Sequence, residues 1–155
     1  VAVLPAGAPA PTFSLRREDG ETFTEADLAG TTVVLVFYPF AFSPVCTDQL
    51  QVYEEALGEI TADGAQIYGV SCDAPYSQTA FREQLGVSIP QLSDFEPKGQ
   101  ASRAFGAFFE PGGMATRALV VLKDGVVAWS WEGEHPGVLP GVNLVFDGLQ
   151  AAASA

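Results

Sequence analysis

The chain has 155 residues, 48% of them apolar, with 7 basic against 19 acidic side chains and a net charge of −12. That length suits one domain, and 11 Phe, 4 Tyr and 2 Trp exclude disorder as the main state. The scarcity of Lys and Arg argues against nucleic-acid and anionic-membrane partners. No run reaches the 18 or more apolar residues of a membrane span.

Two cysteines, Cys46 and Cys72, are too few for a disulfide scaffold. With the single histidine, His135, they cannot complete a four-ligand zinc site from Cys and His alone. Residues 1–11, rich in Pro, Ala and Gly, are expected to form an extended arm. No positive charge opens that segment, so it does not read as a signal peptide, and the expected location is the reducing cytoplasm.

Phe13 and Leu15 alternate with polar neighbours, Asp19-Gly20 supplies a hairpin turn, and residues 22–24 resume the strand. Thr24 and Asp27 have the spacing of a capping box, opening a short helix that stops at Gly30. Residues 33–38 form a continuous apolar, β-branched run, which predicts a strand buried on both faces and ended by Pro39. From Pro44 a helix is predicted, with Leu50, Tyr53, Leu57 and Ile60 at three- and four-residue steps, ending near Asp63-Gly64. Residues 66–71 predict a second buried strand, and residues 76–85 a second helix closed by Gly86. A short strand is expected at 91–93 and a helical stretch at 99–105. Residues 119–122 and 126–131 flank a Lys123-Asp124-Gly125 turn, and a helix over 142–153 closes the chain.

The order is hairpin, βαβα, hairpin, helix. Alternating strands and helices imply an α/β sheet whose two central strands run parallel, with antiparallel strands added by the late hairpin. That is the thioredoxin-like arrangement, a mixed central sheet flanked by helices, with an N-terminal β-hairpin extension. We expect a single such domain over residues 1–155.

Chemistry concentrates between the first buried strand and the helix after it. Ligands in open α/β sheets bind at the carboxyl ends of strands. Cys46 falls in the first turn of that helix, where unpaired backbone N–H groups and the helix dipole favour an anion. A thiol there is partly converted to thiolate, the reactive form. Equally, a lone cysteine in an apolar setting is often a small core residue.

Pro39-x-x-x-Ser43-x-x-Cys46 resembles the active-site motif of the peroxiredoxins, Pro-x-x-x-Thr/Ser-x-x-Cys. The likeness extends to Ala8-Pro-Ala-Pro-Thr-Phe-Ser-Leu, to Tyr68-Gly-Val-Ser-Cys-Asp and to Thr116-Arg117-Ala-Leu-Val-Val. Leu92-Ser-Asp-Phe-Glu-Pro-Lys-Gly is similar to a loop of the AhpE-like one-cysteine subgroup of the AhpC/TSA family. The resemblance implies a thiol-dependent peroxidase for hydrogen peroxide and small organic hydroperoxides. Cys46 would attack a peroxide oxygen and become a sulfenic acid. Arg117 would favour the thiolate and stabilise charge on the oxygens as the O–O bond breaks. Ser43 would offer its hydroxyl to the peroxide, and Pro39 would shape the pocket. The N–H groups of Val45 and Cys46 would complete the oxygen site. Phe37, Phe40, Phe42 and Trp129 would be walls or core. No metal, flavin or haem is implied. The implied reductant is thioredoxin, a glutaredoxin-like protein or a low-molecular-weight thiol, and the implied assembly is a homodimer.

Two positions depart from the pattern. Gln49 stands where many family members have Glu, so the support of Arg117 lacks a negative charge. Cys72 occupies no usual resolving position, yet it ends a central strand on the same sheet edge as Cys46. It is either a core thiol or the resolving cysteine of an atypical two-cysteine peroxidase. Ser43 and Gln49 on either side of Cys46 leave no Cys-x-x-Cys pair for thioredoxin-type disulfide exchange. A non-catalytic thioredoxin-fold interaction or chaperone module is the reading from another class. His135 reads as a solvated loop residue.

Overall fold

A computed structural model describes residues 2–155. The expected arm begins at Val1, which lies outside the described residues. Seven strands form one sheet in the order β2-β1-β5-β4-β3-β8-β9. They are β1 (Ser14–Arg17), β2 (Thr22–Thr24), β3 (Thr32–Phe37), β4 (Gln66–Ser71), β5 (Gln91–Ser93), β8 (Ala118–Lys123) and β9 (Val126–Glu132). A separate two-stranded ribbon pairs β6 (Phe108–Phe109) with β7 (Met114–Ala115). The helices are α1 (Pro44–Glu55), α2 (Leu57–Ile60), α3 (Pro75–Leu85), α4 (Gln100–Ala104) and α5 (Val142–Ala153).

The central strand β3 explains the layering. Val33, Leu35 and Phe37 enter one core with Phe13, Phe23, Phe105 and Val120. Val34, Val36 and Tyr38 enter the other, with Leu50, Tyr53, Phe81, Leu119 and Val145 from the helices and β8. Successive strand side chains point to opposite faces, so an uninterrupted apolar run is what a doubly covered strand requires. β4 runs parallel to β3, and β8 antiparallel on its other side. A bulge between Val121 and Leu122 interrupts the β8–β9 register.

One feature differs from the sequence expectations and two add to them. The single helix expected from Pro44 to near Gly64 divides at Ala56 into α1 and α2. The arm is strapped down: the Gly7 N–H donates to the Val127 carbonyl at 2.7 Å, and the Ser130 hydroxyl donates to the Leu4 carbonyl at 2.7 Å. The N-terminal hairpin is continuous with the main sheet, because β1 pairs with β5. Its β-propensity was visible in the sequence, but its docking partner depends on a long-range pairing.

Candidate active site

Helix α1 starts at Pro44, where the missing N–H costs nothing, with Ser43 as N-cap. Ser43 does not cap with its side chain; its hydroxyl donates to the Phe40 carbonyl at 2.9 Å. The first helical bond runs from the Thr47 N–H to the Ser43 carbonyl. The N–H groups of Val45 and Cys46 therefore have no partner within the helix. Cys46, Gln49, Leu50 and Tyr53 form its buried face. Phe42 takes a left-handed backbone conformation, φ 70°, which is unusual for a bulky residue. Its half-exposed ring packs on Phe81 of α3 at 5.1 Å between centroids.

Arg117 immediately precedes β8. Since Ala118 pairs with Phe37, Arg117 lies beside the exit of β3, where the loop to α1 begins. It is 2% exposed. Nη1 donates to Cys46 Sγ at 3.0 Å and to Gln49 Oε1 at 2.8 Å, while Nε and Nη2 both donate to the Pro136 carbonyl, at 3.0 and 2.9 Å. Among the described residues its partners include no carboxylate; the two ion pairs, Arg82–Glu18 and Arg103–Glu110, are elsewhere. A buried guanidinium needs compensating charge or hydrogen bonds. The sulfur is the one partner able to carry that negative charge.

The network continues outward. Gln49 Nε2 donates to the Tyr53 hydroxyl at 3.2 Å, and that hydroxyl donates to the Pro140 carbonyl at 2.7 Å. Burial pushes the Tyr53 phenol up to about 12, against the lowering effects of the Gln49 contact and Arg117. On the other side, Asp73 Oδ2 accepts the Ala41 N–H at 2.8 Å and the Ser71 hydroxyl at 2.7 Å. Gln78, fully buried on α3, donates to the Ser71 hydroxyl and to the Leu92 carbonyl, both at 2.9 Å. Tyr38 donates to Gln91 Oε1 at 2.6 Å, and burial keeps that phenol strongly protonated.

Of the expected site residues, Cys46, Gln49 and Arg117 meet directly, while Pro39, Phe42, Ser43 and Val45 lie on or beside the segment that joins β3 to α1. Gln49 meets Arg117 rather than lining open space. Phe37 is core, and Trp129 packs against Gly148 of α5. His135 is exposed, its Nδ1 accepting the Gly137 N–H at 3.1 Å. A groove of about 480 Å³ is lined by Phe108, Phe109, Thr116, Arg117, His135 and Pro136 among others.

Cys72 shares the sheet edge but not the face. Cys46, on α1, packs in the core that holds Leu50, Tyr53 and Phe81, whereas Cys72 lies near Asp94, Ser102 of α4 and Ala115 of β7. Its burial and the neighbouring Asp94 push its thiol up to about 11. Both cysteines are free and buried.

Sequence reasoning missed Asp73, Tyr53 and the Pro136 and Pro140 carbonyls. Asp73 had a signal, a carboxylate just past the end of a central strand. Tyr53 had one too, since it shares a helix face with Gln49 four residues earlier. The two carbonyls belong to the backbone and leave no trace in residue type.

The fold is thioredoxin-like, and a buried cation, Arg117, donates to a buried thiol at its sheet edge. A model of the AhpC/TSA family matches residues 6–130. Alkyl hydroperoxide reductase E of Mycobacterium tuberculosis is 34% identical over 151 residues, covering 96% of this chain and 98% of its own. Peroxiredoxin Bcp of Escherichia coli is 35% identical over 107 residues, 69% of this chain and 67% of that protein. The crystal structure of Enterococcus faecalis AhpC superposes with a TM-score of 0.86 at 25% identity, covering 96% of this chain and 92% of that one. The chain therefore belongs to the AhpC/TSA family of peroxiredoxins and is a thiol-dependent peroxidase. Among the described residues no helix is long and apolar enough to cross a membrane.

Proposed function

We propose that this chain reduces hydrogen peroxide and small organic hydroperoxides at Cys46 in a one-cysteine cycle. The observation that carries this reading is Arg117 Nη1 at 3.0 Å from Cys46 Sγ, in a buried cluster whose arginine has no carboxylate partner among the described residues. The Cys46 thiolate attacks the terminal peroxide oxygen, forming an S–O bond as the O–O bond breaks. The bonding pair leaves on the second oxygen, which takes a proton and departs as water or alcohol. Cys46 becomes a sulfenic acid. Arg117 and the N–H groups of Val45 and Cys46 stabilise charge on the oxygens. Ser43 turns its hydroxyl from the Phe40 carbonyl toward the peroxide, while Pro39 and Phe42 border the approach. Since Cys46 is fully buried, peroxide entry involves a local opening of these segments.

An external thiol then attacks the sulfenic sulfur, releasing water and leaving a mixed disulfide that a second thiol resolves. Thioredoxin, a glutaredoxin-like protein or a low-molecular-weight thiol would serve. The position of Cys72 on the other sheet face, with a proton-holding thiol, supports an external reductant over internal resolution. We further infer action in the cytoplasm, as one domain paired into a homodimer. The exposed Phe40, Phe42 and Tyr76 near the site offer apolar surface for a second copy.

The test is the mass of reduced protein after one equivalent of hydrogen peroxide with a dimedone-type trap, for wild type and Cys46→Ser. A rapid adduct on Cys46, absent in the variant, is expected. Rapid loss of two hydrogens, mapped to a Cys46–Cys72 bond, would overturn the one-cysteine cycle. No rapid change in a folded protein would return the interaction-module reading.

A further inference from the structure

The link between Gln49 and Arg117 poses a problem that a carboxylate would not. An arginine can only donate hydrogen bonds, so the Gln49 amide must turn Oε1 toward it, as observed at 2.8 Å. The amide NH₂ is then forced the opposite way, into a buried region where it needs an acceptor. Tyr53 supplies one. Its hydroxyl has a single proton, which goes to the Pro140 carbonyl at 2.7 Å, so its oxygen is left to accept from Gln49 Nε2 at 3.2 Å. The bonds thus run in one direction, from Gln49 to Tyr53 to Pro140, and burial of the phenol keeps the proton in place to maintain it.

Tyr53 hydrogen-bonds neither the sulfur nor the arginine; its effect passes through Gln49. We propose that Tyr53 is a positioning residue of the peroxidase reaction, its hydroxyl fixing the polarity of the Gln49 amide so that an uncharged side chain holds Arg117 on Cys46. This rests on the one-thiol reading given above. A phenylalanine at position 53 leaves the Gln49 NH₂ buried and unpaired, and the amide relieves that by rotating away from Arg117. A glutamate at position 49 has no N–H to satisfy and attracts the guanidinium by charge. With it, the Tyr53 hydroxyl becomes dispensable for the arginine.

The experiment is a double-mutant cycle on the second-order rate of Cys46 sulfenic-acid formation by hydrogen peroxide, for wild type, Tyr53→Phe, Gln49→Glu and the double variant. Tyr53→Phe should lose about tenfold in the wild-type background. It should lose less than about twofold in the Gln49→Glu background. Equal losses in both backgrounds would make Tyr53 a structural residue only, and no loss in wild type would overturn the proposal outright. If Tyr53→Phe fails to fold, proton exchange of the side-chain amides in ¹⁵N-labelled wild type decides. The Gln49 NH₂ should exchange at least about tenfold more slowly than that of exposed Gln51, and equal rates would overturn the proposal. A wild-type Cys46 that does not react with peroxide rejects the catalytic reading itself and this inference with it. A reactive wild type with uncoupled variants rejects the inference alone.

Discussion

Arg117 reaches Cys46 Sγ with the same nitrogen, Nη1, that binds Gln49 Oε1, so the amide and the thiol share one donor. Nε and Nη2 are both committed to the Pro136 carbonyl. The guanidinium plane is therefore held from two sides, and its orientation toward the sulfur follows from anchoring rather than from charge alone.

Arg117→Gln should lower the rate of Cys46 oxidation by peroxide by about 10²–10³-fold while the protein stays folded. Arg117→Lys should recover little, because an ammonium cannot reproduce the fork that grips Pro136 and meets the sulfur. Rapid-mixing kinetics measure both, and a loss of less than about tenfold in Arg117→Gln would mean that the helix N-terminus suffices.

Asp73 ties the end of β4 to the loop before Cys46 through the Ala41 N–H. Asp73→Ala should slow peroxide reduction by about three- to tenfold, since the freed N–H lets the loop drift. Asp73→Asn keeps one acceptor oxygen and should regain most of the rate. Peroxide kinetics on the two variants test this, and wild-type rates in both would remove Asp73 from the reaction.

The pH dependence of stability should carry a contribution from Cys72. Its folded thiol keeps its proton up to about 11, whereas the unfolded chain releases it near the ordinary value of about 8.5. The contribution is present in full below the unfolded value and is lost as pH rises through the folded one. Urea midpoints between these values should fall with pH in wild type and fall less steeply in Cys72→Val. Parallel slopes would show that Cys72 titrates alike in both states.

At Gly148 α5 closely approaches the sheet. A Cβ there would stand 2.6 Å from Val121 Cγ2 and 2.7 Å from Trp129 Cε3. Gly148→Ala should therefore destabilise the fold by about 1–3 kcal/mol, despite alanine's better helix propensity. Denaturant unfolding gives the sign directly, and stabilisation would mean that α5 shifts freely.

Helix and strand identities were readable because burial imposes periods. The run at residues 33–38 could serve only a strand covered on both sides, and the hairpin turn at Asp124-Gly125 takes positive φ at both residues. The division at Ala56 and the β6–β7 ribbon were not readable, since short segments carry too few residues to declare a period.

By itself the sequence determined the local setting of Cys46. Pro44 starts a helix, Cys46 falls in its first turn, and both follow from local backbone chemistry. It also determined which side chains were available as partners, Arg117, Ser43 and Gln49 among them. Only the tertiary structure decided how they meet. The pairing of Ala118 with Phe37 brings Arg117 to a cysteine 71 positions earlier, and the pleat of β4 sends Cys72 to the other face. Long-range register and facing depend on how distant segments pack, and the carbonyls of Pro136 and Pro140 act through backbone that residue type does not encode.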